Sequence, residues 1–256
     1  MTDRTDPTGP AALIRAGRLD EARAALVARV KAAPADARPR LDLAELLIIL
    51  GDYERADTHA DAASTLDPAI ALPTALTRQL IRAATWRRET FEQRRPPELV
   101  TDPDPATVAA IARLAGAPAV DADPADTALV VDGTPAILRD LDDRTAGVLE
   151  VLTSTGNYIW VPYAQIAALR IAKPGRLRDL IWRQAELDVV GGPSGVVYLP
   201  ALYYAAPDEQ TDAHRLGRAT DWIETGDDAR GIGLRTFLVG DDACSLDEIT
   251  EIAAVA

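Results

Sequence analysis

Val148-Leu-Glu-Val-Leu-Thr153, the turn Ser-Thr-Gly-Asn at 154–157, and Tyr158-Ile-Trp-Val-Pro-Tyr163 decide the fold. Two β-rich runs flank Gly156 and Asn157, which tolerate positive φ, so the stretch predicts a hairpin. Leu138-Arg-Asp-Leu-Asp-Asp-Arg144 precedes it; Arg178-Asp-Leu-Ile-Trp-Arg183 and Val196-Val-Tyr-Leu-Pro-Ala-Leu202 follow. Helices do not alternate with these strands, which argues against a parallel doubly wound sheet. Strands are expected near 128–131, 136–139, 148–153, 157–161, 167–171, 184–190, 195–199, 218–224 and 232–239, with a second hairpin turn at Gly191-Gly-Pro-Ser-Gly195. Ser245-Leu-Asp-Glu248 has the form of a capping box and predicts a last helix over 245–254. Short antiparallel strands joined by turns point to a small sheet, curled or closing into a partly open barrel.

Upstream of the sheet the pattern changes to helix. Gly17-Arg-Leu-Asp-Glu-Ala22 and Gly51-Asp-Tyr-Glu-Arg-Ala56 lie 34 residues apart, and Pro34 and Pro68 keep the same offset. A glycine ends one helix, an alanine lets the next pack closely, and a proline stops it, which is the arrangement of tetratricopeptide-like helix pairs. Pairs are predicted at 11–16 with 19–32 and at 38–50 with 53–66. A degenerate third follows at 70–84 with 86–94, closed by Trp86 and Phe91. Six prolines between 96 and 124 mark a junction holding one helix, near 106–115. The expected organisation is therefore α+β: a helical-repeat domain over 1–94, a proline-rich junction over 95–127, and a β-rich domain over 128–256.

Charge divides along the same line. Residues 1–100 hold 15 acidic and 15 basic side chains, so the 25 acidic and 12 basic ones beyond carry the whole net charge of −13. Such acidity argues against a nucleic-acid groove and against an anionic membrane surface, both of which need cations. No apolar run approaches the ~20 residues that span a bilayer. One cysteine, Cys244, and an N-terminus without an apolar core predict a cytoplasmic protein.

Chemistry is hard to place. His59, His214 and Cys244 lack metal-ligand spacing, and Asp142-Asp143 and Asp241-Asp242 fit turns as well as Mg²⁺. Gly192-Pro-Ser-Gly195 does not make a nucleophile elbow, Ser154 has no linked base, and Gly231-Ile-Gly233 opens no dinucleotide site. Glu150 and Glu186 could form a glycosidase pair, yet nothing sets them apart from ordinary strand carboxylates. No catalytic residue, metal or cofactor is therefore expected. Tyr158, Trp160, Tyr163, Trp182 and Trp222 form the sheet's aromatic set. They read first as core, and alternatively as a partner-facing patch, since Tyr158 and Trp160 share a strand face.

Six blocks carry a resemblance. Leu149-Glu-Val-Leu-Thr-Ser154, Tyr158-Ile-Trp-Val-Pro-Tyr163, Arg178-Asp-Leu-Ile-Trp182, Val197-Tyr-Leu-Pro200, Leu216-Gly-Arg-Ala-Thr-Asp-Trp222 and Arg235-Thr-Phe-Leu238 resemble, in order, the ImpE/TagJ (SciE-type) family. That family comprises accessory proteins of bacterial type VI secretion and has no reaction of its own. The resemblance implies a non-enzymatic adaptor that binds the N-terminal helix of the small sheath subunit, with a ClpV-type disassembly ATPase as a further partner. By analogy with helical-repeat pairs, Arg38, Leu41, Glu45 and Ile48 would face the binding groove, joined by Leu72, Gln79 and Arg82. A general helical-repeat scaffold with another partner, or a hydrolase, are the alternatives.

Overall fold

The computed structural model describes residues 9–115, 127–225 and 228–255. Of the junction prolines, Pro118 and Pro124 lie outside these residues, as does the extreme N-terminus. The chain opens with α1 (Pro10–Arg15), α2 (Leu19–Ala32), α3 (Ala37–Ile49) and α4 (Tyr53–Leu66). Asp36 and Asp52 cap α3 and α4 by accepting the N–H groups of Arg38 and Arg55. Such caps satisfy amides that a helix start leaves free. Gly17 and Gly51 both have positive φ, 71° and 74°. Each donates its N–H to the residue three before it, Ile14 or Ile48, and the next residue's N–H reaches back five, to Leu13 or Leu47. The two turns thus repeat one hydrogen-bond pattern at the 34-residue offset.

The expected third pair does not form. A single 23-residue helix, α5 (Ala71–Gln93), replaces it. Thr85, standing where the turn glycine would be, keeps the helix intact and donates its hydroxyl to the Ile81 carbonyl.

Beyond α5 come β1 (Glu98–Leu99), α6 (Pro105–Leu114), β2 (Thr127–Val131), β3 (Thr134–Asp140), β4 (Val148–Thr153), β5 (Tyr158–Pro162), β6 (Ile166–Ile171), β7 (Trp182–Val189) and β8 (Ser194–Pro200). The short α7 (Asp212–Arg215) precedes β9 (Thr220–Thr225), β10 (Asp228–Gly233), β11 (Thr236–Val239), β12 (Asp242–Ser245) and β13 (Glu251–Ala254). Eleven strands make one open sheet in the order β1-β5-β4-β8-β7-β6-β13-β2-β3-β11-β12, and β9 with β10 form a separate ribbon. Every pairing is antiparallel except β1 with β5. The sheet is larger than the small one expected, and it does not close into a barrel.

Two further expectations fail for identifiable reasons. The run 232–239 is two strands, because Leu234 and Arg235 break it and pass the chain from the ribbon to the main sheet. The predicted last helix is absent among the described residues. Glu248 does reach back to the Ser245 N–H at 2.8 Å and to its hydroxyl at 2.7 Å, but this closes only a turn. The chain then enters the sheet as β13, between β6 and β2. Ladder hydrogen bonds on both sides outweigh a local helix signal.

The central hairpin is buried on both faces. Val148, Leu152, Tyr158 and Trp160 share one hydrophobic cluster with α1–α5, while Leu149, Val151, Ile159 and Val161 share another with β2, β3, β6, β7, β8, β11 and β13. Period-two alternation makes this possible. One core therefore runs unbroken from the helices into β4, β5 and β8.

Candidate partner groove and the helix–sheet ionic cluster

Where α5 crosses β4, the contact is charged. Arg87 donates to both Glu150 carboxylate oxygens, at 2.7 and 2.9 Å, and to the Leu202 carbonyl. Arg235 also donates to Glu150, and to Asp140 at 2.5 Å. Tyr158 donates to Glu150 and accepts from the Trp160 indole, while Tyr203 and Thr145 donate to Asp140. Burial pushes the Glu150 carboxyl up, but Arg87 and Arg235 overcome it and hold the pKa at about 2. For Asp140 burial wins over Arg235 and raises the pKa to about 6. Both acids remain ionised at neutral pH, opposite two guanidinium groups. Their oxygens are occupied by donors, so the cluster joins helix to sheet and leaves no free base.

Two open grooves flank α5. One lies between its N-terminal half and the sheet, lined by Leu72, Pro73, Leu76, Gln79, Arg178 and Tyr198. Leu72 is 83% exposed there. The other runs along α4 and α5, with Tyr53, Arg78, Gln79, Arg82, Trp86 and Arg88 on its walls. The β4–β5 turn presses on the ridge between them: a Cβ built on Gly156 would sit 2.5 Å from Gln79 Oε1 and 3.0 Å from Arg82 Cδ.

Of the residues expected to face a partner, Leu72, Gln79 and Arg82 line these grooves. The α3 set is placed differently. The 3-10 turn Leu177–Leu180 packs against α3, so the chain itself covers the face expected to be open. Ile48 is 1% exposed, inside the core that α3 shares with the sheet. Leu41 and Glu45 are half-buried, and Arg38 is exposed and paired with Asp42 at 2.9 Å. Burial raises the Glu45 carboxyl, against the opposing pull of Arg178.

The aromatic set is core apart from one ring. Tyr158, Trp160, Tyr163 and Trp182 are buried, whereas Trp222 is 39% exposed and meets Tyr203 edge-on at 5.5 Å. No aromatic patch faces solvent at β5. His59, His214 and Cys244 lie on α4, α7 and β12, and His214 contacts Asp221 at 2.9 Å. Among the described residues no three His, Cys, Asp or Glu groups gather as metal ligands, and no helix is long and apolar enough to cross a membrane.

Arg178 is the residue that sequence reasoning passed over. It is 7% exposed, and its recorded hydrogen bond is from Nη1 to the Thr77 hydroxyl at 2.6 Å. Among the described residues its Nε is buried without a partner. The adjacent Asp179 looks like a ready counter-ion in sequence, but its carboxylate accepts the Gly175 and Arg176 N–H groups instead.

Residues 133–253 match the family described as ImpE protein. The chain is 34% identical to the type VI secretion system accessory component TagJ of Pseudomonas aeruginosa, an alignment covering 94% of this chain and 89% of that one. It also superimposes on the crystal structure of protein VPA1032 from Vibrio parahaemolyticus with a TM-score of 0.86 and 29% identity, covering 96% of this chain and 97% of that one.

Proposed function

The chain belongs to the ImpE/TagJ family of type VI secretion accessory proteins, and from that premise we propose that it is a cytoplasmic, non-enzymatic adaptor that binds the small sheath subunit. The segment bound is a helix near that subunit's N-terminus, and the receiving surface is the groove between the N-terminal half of α5 and the sheet. One observation carries this placement. Leu72 projects into solvent at 83% exposure beside Pro73 and Leu76, on a helix otherwise anchored by its buried face. An apolar strip at helical spacing beside a polar edge is what an amphipathic helix can lie against. Of the residues named from the sequence, Leu72 and Gln79 belong to this groove, Arg82 borders it across the α5 ridge, and Ile48 lies in the core. In this reading α1–α4 are two tetratricopeptide-like pairs, supported by the matching turns at Gly17 and Gly51. Residues 1–94 then serve as the helical part of the adaptor, 95–127 as the junction and 128–256 as the ImpE-type part.

The test is titration of the full chain with a peptide of the small sheath subunit's N-terminal helix. Leu72→Asp alters a solvent-facing side chain, so the fold survives, and it is expected to weaken binding at least tenfold. Unchanged affinity would exclude this groove, and no binding by the wild-type chain would exclude the adaptor role.

A further inference from the structure

We propose that Arg178 is an acid-recognition point: it receives an Asp or Glu carboxylate carried by the helix that docks in the α5 groove. The proposal rests on the adaptor reading above and adds to it the chemistry the partner must bring.

Its basis is a comparison among arginines of the same protein. Three of them are buried among the described residues: Arg178, Arg183 and Arg235. Arg183 donates to Asp247 at 2.6 Å, and Arg235 is held by Asp140 and Glu150. Arg178 alone of the three has no carboxylate within ion-pair distance in the described structure. Thr77 offers it only a neutral hydroxyl, whose own proton goes to the Pro73 carbonyl at 3.0 Å. A guanidinium carries five N–H donors and stays charged, so a buried one without a counter-ion is costly to keep. That cost is recovered when a carboxylate arrives, most fully if both oxygens meet the forked donors.

The surroundings select what can bring the carboxylate. Leu72, Pro73 and Leu76 make the groove apolar on the α5 side, while Arg176 lies exposed at its other rim and has no ion pair among the described residues. Gln79 also lines the groove, with its Oε1 packed against Gly156 of the β4–β5 turn. Glu45 pulls on Arg178 electrostatically but lies beyond pairing distance, and its ionised form is itself disfavoured by burial. A helix with apolar residues along one stripe and an acid at its edge would cover Leu72 and neutralise Arg178 together. This is electrostatic complementarity used for register and selectivity.

The experiment leaves the protein unchanged in its first arm. The wild-type chain is titrated with the small sheath subunit's N-terminal-helix peptide and with versions in which each Asp or Glu becomes Asn or Gln, one at a time. One substitution is expected to weaken binding tenfold or more; if none does, the proposal is overturned. In the second arm Arg178→Met, of similar length and apolar, should lose the same tenfold for the parent peptide and be indifferent to the sensitive acid-to-amide change. Arg178→Lys should fall between, keeping the charge without the fork. Wild-type affinity in Arg178→Met, or a loss shared equally by every peptide, overturns the assignment. Absence of binding by the wild-type chain removes the adaptor reading, and this inference with it; peptide binding indifferent to every acid removes this inference alone.

Discussion

Arg87 on α5 and Glu150 on β4 stand 63 residues apart and grip each other through two parallel hydrogen bonds of 2.7 and 2.9 Å. Because Arg235 holds the same carboxylate, Glu150 is the counter-ion of helix and sheet at once. Glu150→Gln leaves the Arg87 and Arg235 guanidinium groups facing a neutral amide, so a loss of about 3–5 kcal/mol is expected. Urea denaturation at pH 7 measures it, and a loss under about 1 kcal/mol would show that the cluster contributes packing rather than charge.

The two acids of that cluster respond to pH in opposite directions. Glu150 is lowered from 4.5 to about 2, so its contribution is complete above 4.5 and lost as pH falls toward 2. Asp140 is raised from 3.8 to about 6, so its contribution is complete below 3.8 and lost as pH rises through 6. Each shift corresponds to about 3 kcal/mol. From pH 7 to 5 the wild type should gain stability relative to Asp140→Asn, which cannot take up that proton. Denaturation of both proteins at pH 7, 6 and 5 checks this; a constant difference would refute it.

Gly156→Ala combines two penalties. Its φ of 89° is unfavourable for any residue with a Cβ, and the new methyl would press on Gln79 and Arg82 of α5. A cost of about 1–3 kcal/mol is expected. Gly191→Ala, also at positive φ but with open space around the Cβ, should cost less. Thermal melts of the two variants make the comparison, and equal losses would mean that the contact with α5 is slack.

The hairpins were legible because their information is local: Gly156 and Gly191 announce their turns whatever surrounds them. The matching turns at Gly17 and Gly51 were legible for the same reason. What the residues could not disclose was pairing across distance. Ser245 and Glu248 form the hydrogen bonds that suggested a helix, yet β13 obeys partners at Val131 and Leu169. Nothing adjacent to Glu150 foretells Arg87 or Arg235. At Arg178 the neighbouring Asp179 misleads, since only the folded turn shows that its carboxylate serves backbone amides. Ile48 was placed on a groove face by analogy with isolated repeats, in which no 3-10 turn from a sheet covers α3.

Removing residues 250–256 should be far more damaging than trimming an edge strand. β13 separates β6 from β2, so its loss exposes two unpaired ladders in the middle of the sheet and removes Ile252, a core side chain that is 1% exposed. Unpaired edges of this kind promote aggregation. The truncated chain is expected in the insoluble fraction on expression. A soluble product with wild-type circular dichroism would mean that β6 and β2 can close on each other.

That central position also sets a timetable for synthesis. A ribosome delivers β2 and β3 more than a hundred residues before the strand that connects them to β6, so the nascent chain carries incomplete half-sheets until that strand is made. Helices α1–α5 can consolidate early from neighbouring segments. The sheet must wait until residue 254 has cleared the exit tunnel, and the half-sheets present open edges to other molecules until then. A protein assembled in this order has reason to depend on a chaperone during its production, independently of how stable it is once complete.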